Sequence, residues 1–199
     1  MSRPVCRSLW VLGIVLAESL GAQSAVAPRD VFTFQAFDKR GGLLPSTVYS
    51  VARDRDGLMW IGSEEGAAYF TGHRWQRVTT PITRRWNDVR VVLPQADGTL
   101  WFATRAGVVR IRGSDTTHFT AARNGLVDDN VYDLREVTVF GGRQILAASY
   151  SGLSRFDGTR FQRVPMPDGF APHGTVTAET IAADGTPSLW VATPNLGLW

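Results

Sequence analysis

The sequence predicts an all-β fold made of one antiparallel unit written four times, and three observations carry this. The first is composition: ten Phe, seven Trp and four Tyr beside 20 Gly and only 20% charged residues suit short strands and tight turns rather than helices. The second is recurrence. Asp56-Gly57-Leu58-Met59-Trp60-Ile61-Gly62-Ser63 returns as Asp97-Gly98-Thr99-Leu100-Trp101-Phe102-Ala103-Thr104, and again from Asp184-Gly185 to Trp190-Val191-Ala192-Thr193; a degenerate copy runs from Gly141 to Ser149 with Leu146 at the tryptophan position. The third is spacing at that position: 41 residues (60 to 101), 45 (101 to 146) and 44 (146 to 190). A period of roughly 40 to 45 residues holding only strand signals is that of a β-propeller, one four-stranded blade per repeat. The expected architecture is about three and a half blades of a larger propeller, at 41–80, 81–122, 123–166 and 167–199, the last incomplete.

Along the chain, Arg3 and Arg7 precede an apolar run and then the small residues 21–27, the pattern of a secretory signal peptide over 1–27 with cleavage between 22 and 27. Export would place the mature protein in a compartment that permits disulfides. Cys6, the one cysteine, leaves with that segment, so neither a disulfide nor a thiolate metal site is expected. Residues 28–40 contain a strand-like stretch, 32–37, suited to closing a propeller ring. In the first full copy, residues 47–53 and 58–63 read as strands around an Asp56-Gly57 turn, followed after Gly66 by strands at 67–71 and 74–79. Gly107, Gly152 and Gly197 occupy the Gly66 position in later copies. Each tryptophan shares a face with the small residue two places on, Trp60 with Gly62 and Trp101 with Ala103, a pairing that lets neighbouring blades interlock.

The net charge of +3 is spread over scattered arginines, with no basic stripe to bind nucleic acid. His73, His118 and His173 are too far apart to form a metal site and read as solvent-facing loop residues. Asp54, Asp56 and Gly57 lack the closing glutamate of a calcium loop and read as a hairpin turn. Neither a catalytic group nor a cofactor is expected.

The stretches Gly42-Leu43-Leu44-Pro45-Ser46-Thr47-Val48-Tyr49 and Asp54-Arg55-Asp56-Gly57-Leu58-Met59-Trp60-Ile61-Gly62 resemble the two-component regulator propeller repeat. Asn87-Asp88-Val89 and Asn130-Val131-Tyr132 resemble its opening, and residues 152–158 its later half, with Ala67-Ala68 standing where copy one would have Gly-Leu. The resemblance implies the periplasmic sensory part of a receptor anchored in the inner membrane. Its further blades, about seven in all, and its output module (a histidine kinase, a diguanylate cyclase or a DNA-binding domain) would lie outside this chain. An N-terminal fragment of this kind would form an open arc with exposed apolar faces. Alternatives are a secreted propeller for protein docking or carbohydrate binding and, ranked below them, a propeller lyase or hydrolase. Expected partners are a small ligand, oligosaccharide or peptide, the remainder of the same protein, and a second copy as a homodimer. Propeller geometry directs the search for a ligand site to the turns between second and third strands, hence to Glu64, Glu65, Arg105, Tyr150 and Asn195.

Overall fold

In the computed structural model the described residues are 36–37, 42–43, 47–79, 88–167, 176–194 and 197–199. All lie in one unit, Ala36–Trp199. The expected signal peptide, residues 28–35 of the expected closing strand, His173 and Asn195 lie outside them.

The described residues form four antiparallel sheets and one short helix. The first sheet contains β1 (Val48–Arg53), β2 (Met59–Ser63), β3 (Gly66–Phe70) and β4 (Trp75–Arg77), hydrogen-bonded in chain order. The second repeats the order with β5 (Val89–Pro94), β6 (Leu100–Thr104), β7 (Gly107–Arg112) and β8 (Asp115–Phe119). After helix α1 (Ala121–Asn124) comes the third, β9 (Val131–Val137), β10 (Gln144–Ser149), β11 (Gly152–Phe156) and β12 (Phe161–Arg163). A three-stranded sheet follows, of β13 (Val176–Ile181), β14 (Pro187–Thr193) and β15 (Gly197–Leu198). First strands run beside one another, β1 by β5, β5 by β9 and β9 by β13, which is the arrangement of propeller blades around an axis.

The hairpin between first and second strands is built alike in three copies. Asp54 N–H donates to Leu58 O and Gly57 N–H to Asp54 O; the same two bonds join Gln95, Thr99 and Gly98, and again Ala182, Thr186 and Gly185. The turn therefore begins two residues before the Asp-Gly pair that marks it in sequence. In copy one the Asp54 carboxylate accepts the N–H groups of Asp56 and Leu58 and the Trp60 indole N–H, at 3.0, 2.9 and 2.8 Å. Copy three has no such aspartate. There Glu179 of the next sheet accepts the N–H groups of Thr138 and Val139, at 2.6 and 2.7 Å, and the cap is supplied across the blade interface.

Several turn carboxylates hold their protons more weakly folded than unfolded. Asp97 lies below its ordinary 3.8 because Thr99 donates to it from backbone and hydroxyl, and Asp184 is lowered by Thr186 in the same way. For Asp54 burial pulls upward, but the Trp60 indole and neighbouring backbone N–H groups outweigh it. A lowered folded value means that the stabilisation is complete above the unfolded value and is lost as pH falls through the folded one. Denaturant midpoints should therefore hold steady from pH 7 to about 5 as far as these groups decide, then fall below about 4. Asp97→Asn should be weaker than the native chain at pH 6 and indistinguishable from it near pH 2; an equal deficit at both would remove the charge from the explanation.

Packing lies between sheets, not within them. Trp60 and Ala67 meet Val92, Phe102 and Val109 of the second blade. Trp101, Ala103 and Phe119 meet Ile145, Ala147, Phe156 and Phe161 of the third. Leu146 and Ala148 continue the series against Val191. The small residue is required where expected: a Cβ at Gly62 would stand 2.5 Å from the Val89 carbonyl oxygen of the next first strand. Trp190, at the same position in the fourth copy, is 42% exposed, and its indole donates to Thr180 Oγ1.

Two details differ from the expectation. His118 is no loop residue: it lies in β8, half-buried, with Nε2 2.6 Å from Ala106 O. The Gly-Leu position of copy one is held by Gly66-Ala67, not Ala67-Ala68, because Gly66 pairs with Ser63 as Gly152 pairs with Ser149.

Candidate functional site

Three first strands share an irregularity that gives the axial side its chemistry. Along β1, Val48 pairs with Ser63 and Ser50 with Gly62, which leaves Tyr49 as one extra residue. Along β5 the extra residue is Arg90, and along β9 it is Tyr132. Such β-bulges bend the strand and re-aim the extra side chain. Here all three bulged residues line one groove of about 470 Å3, together with Ser50, Val91, Arg105, Asp133 and Val176.

The groove is held by bonds that run from blade to blade. Arg90 donates from Nη1 to Asn130 Oδ1 and Val131 O, at 3.0 and 3.2 Å, and its guanidinium carbon lies 4.0 Å from the centre of the Tyr132 ring. That stacking of a cation on an aromatic face fixes both side chains. Asp88 bridges Arg105 Nε at 2.6 Å and Arg90 Nε at 3.6 Å. Asp133, itself buried, accepts the N–H and hydroxyl of Thr177, each at 2.8 Å, on Oδ2. Ser50 Oγ accepts Val92 N–H at 3.3 Å.

Of the residues expected to form the site, Arg105 reaches this groove from the β6–β7 turn. Glu65 is drawn away to Arg77 on the outermost strand, at 2.9 Å. Glu64 lies exposed in the β2–β3 turn, its N–H bonded to Thr47 O, and Tyr150 is 44% exposed in the β10–β11 turn; neither lines the groove. Tyr49, Arg90, Tyr132 and Asp133 were missed. A signal did exist, since Val48-Tyr49, Val89-Arg90 and Val131-Tyr132 each place a large polar-tipped side chain directly after the valine that opens a first strand. The two asparagines noted there are not equivalent: Val89 and Val131 correspond by pairing, so Asn130 takes the place of Asp88, one residue after Asn87. Among the described residues no three His, Cys, Asp or Glu gather as metal ligands, and no helix is long and apolar enough to cross a membrane.

The sheets and their order define a segment of β-propeller. Within that class, residues 42–65 match the family model described as two component regulator propeller, so the resemblance read from the sequence holds for the copy the model covers. Among solved structures, the chain is similar to the extracellular domain assigned to a hybrid two component system of B. thetaiotaomicron, at 19% identity and TM-score 0.62 over 83% of this chain and 26% of that one. A second similar structure is the extracellular domain assigned to a one component system of the same organism, at 21% identity and TM-score 0.43, over 77% of this chain and 27% of that one. The chain thus spans about a quarter of the length of these structures. No curated protein matches it.

Proposed function

We propose that this chain is the ligand-sensing propeller segment of a periplasmic signalling receptor and that the groove at the bulges of β1, β5 and β9 is where ligand binds. The observation that carries the reading is the convergence of Tyr49, Arg90 and Tyr132, each the extra residue of its strand, on one groove. A packing role would not need a repeated bulge to turn large polar-tipped residues toward the axis. The family match supports a sensory context, because its description names regulators of two-component type. The role assigned is binding without catalysis, with signal output coming from another part of the receptor. Protein docking is the competing reading, and nothing in the groove favours it.

A thermal-shift panel of oligosaccharides and short peptides tests this. A ligand at 100 times its Kd adds about 2.7 kcal/mol, and a chain of this size gains roughly 2–4 °C per kcal/mol. At least one compound should therefore raise Tm by about 5–10 °C. Tyr49 is exposed, so Tyr49→Ala should leave the unliganded Tm nearly unchanged and remove most of the shift. A full shift in that variant, or none across the panel, overturns the proposal.

A further inference from the structure

Most of the side-chain acceptors beside the groove are engaged, and several donors are spare. Asp133 is occupied on both oxygens, by Thr177 on Oδ2 and by Leu134 N–H at 2.9 Å on Oδ1. Asp88 pairs with Arg105 through Oδ2, while its Oδ1 lies 3.6 Å from Arg90 Nε and makes no hydrogen bond; the Asn130 and Val131 oxygens serve Arg90 Nη1. The donors are not used up. A guanidinium carries five N–H bonds and accepts none. Among the described residues, Arg105 spends only Nε, on Asp88, and Arg90 keeps Nη2. The Tyr132 hydroxyl accepts from Asn130 Nδ2 at 3.1 Å, which leaves its own proton to donate. Two guanidiniums, Arg90 and Arg105, line the groove against one carboxylate, Asp133, so the charge of its lining is positive.

A groove with donors to spare, a positively charged lining and the exposed ring of Tyr49 suits an acceptor-rich anion carried on a ring that has an apolar C–H face. We propose that the ligand is an acidic sugar. Its carboxylate meets the Arg105 guanidinium in the two-pronged geometry that arginine offers, and the C–H face of its ring lies on Tyr49. A peptide fits less well, because each backbone N–H it brings can only donate, whereas a sugar hydroxyl can turn to accept from the spare donors of Arg90, Arg105 and Tyr132. This inference rests on the groove being the ligand site.

Calorimetric titration of the 199-residue chain with trigalacturonate, with the corresponding neutral galactose trisaccharide and with a Glu-Gly-Glu peptide separates the choices. Trigalacturonate should bind and should weaken as salt is raised, since the groove is open to solvent. Arg105, 69% exposed in its side chain, can be replaced without disturbing a core. Arg105→Ala should weaken trigalacturonate binding by about 10- to 100-fold, the worth of a charge-assisted hydrogen bond, and Arg105→Lys should recover part of it. Equal binding of the neutral trisaccharide, or tighter binding of the peptide, either one lost in Tyr49→Ala, overturns the acidic sugar while leaving the groove as the ligand site. Binding of none of the three overturns the acidic sugar too, and the thermal-shift panel then decides whether the groove falls with it.

Discussion

Trp101→Ala is expected to cost about 3–5 kcal/mol, the range for deleting a large aromatic side chain from a packed interior. Trp101 is 2% exposed, with ring centres of Phe119, Phe156 and Phe161 at 5.7, 5.0 and 6.3 Å. Two of those rings belong to the next blade, so one truncation opens a cavity in the interface rather than in one sheet. It also removes the indole N–H that donates to Gln95 Oε1 at 2.7 Å, and the ring under the Arg110 guanidinium, 5.6 Å from its centre. Gln95 is held from its other end by Glu136 of the third blade, so the loss reaches a second contact between blades. Stability of a domain is commonly 5–15 kcal/mol, and this variant should unfold at a much lower urea concentration than the native chain. Trp190→Ala, at the same place in the repeat, should cost no more than about 1 kcal/mol, because Trp190 is 42% exposed. Similar urea midpoints for the two variants would refute the assignment of stability to the buried interface.

The contrast between those two tryptophans also marks how far the sequence could be read. The period, the Asp-Gly turns and the tryptophan beside its small partner set the sheets and the faces on which they pack, because each follows from local rules of strand and turn. Leu146 could be placed in the series despite its changed identity, since spacing alone assigned it. The groove was not legible in the same way. A bulge is a relation between two strands, and the polar-tipped residue after each opening valine marks a candidate without showing that Tyr49 rather than Ser50 is the extra residue. The direction of Glu65 depends on Arg77, twelve residues on and on the outermost strand, and the cap of the third hairpin comes from Glu179 in the next sheet. His118 was misread for a related reason: its partner, the Ala106 carbonyl, is met only once β8 lies against β7. A second repeated signal was open to view and passed over. Ser63, Thr104, Ser149 and Thr193 each stand at the end of a second strand, and each hydroxyl donates to the carbonyl of the glycine that opens the third.

That hydroxyl-to-glycine turn leads to the second large effect, at Gly107. Its φ of +109° lies where a side chain on an L-residue is strained, at a cost of about 1–3 kcal/mol. Space makes the case more severe. A Cβ at Gly107 would collide with the backbone carbonyl of Phe119 and come within 3.1 Å of His118 Nε2. The Phe119 oxygen cannot swing aside as a flexible side chain would, because Val108 and Phe119 are paired across β7 and β8 and Phe119 is 1% exposed. The Gly107 N–H is also engaged, donating to Asp129 O at 2.7 Å, so moving the turn would break a tie to the segment leading into β9. Gly107→Ala should thus lose about 2–4 kcal/mol, strain and crowding acting together. Gly113→Ala is the control: φ is +58° and nothing lies within 4 Å of its Cβ position, so only the cost of the left-handed conformation, about 1–2 kcal/mol, should appear. Urea midpoints of the two variants separate the causes. If they fall together, the crowding at Phe119 contributes nothing; if Gly107→Ala falls well below Gly113→Ala, glycine is required there because the outer strand leaves no room for a methyl group.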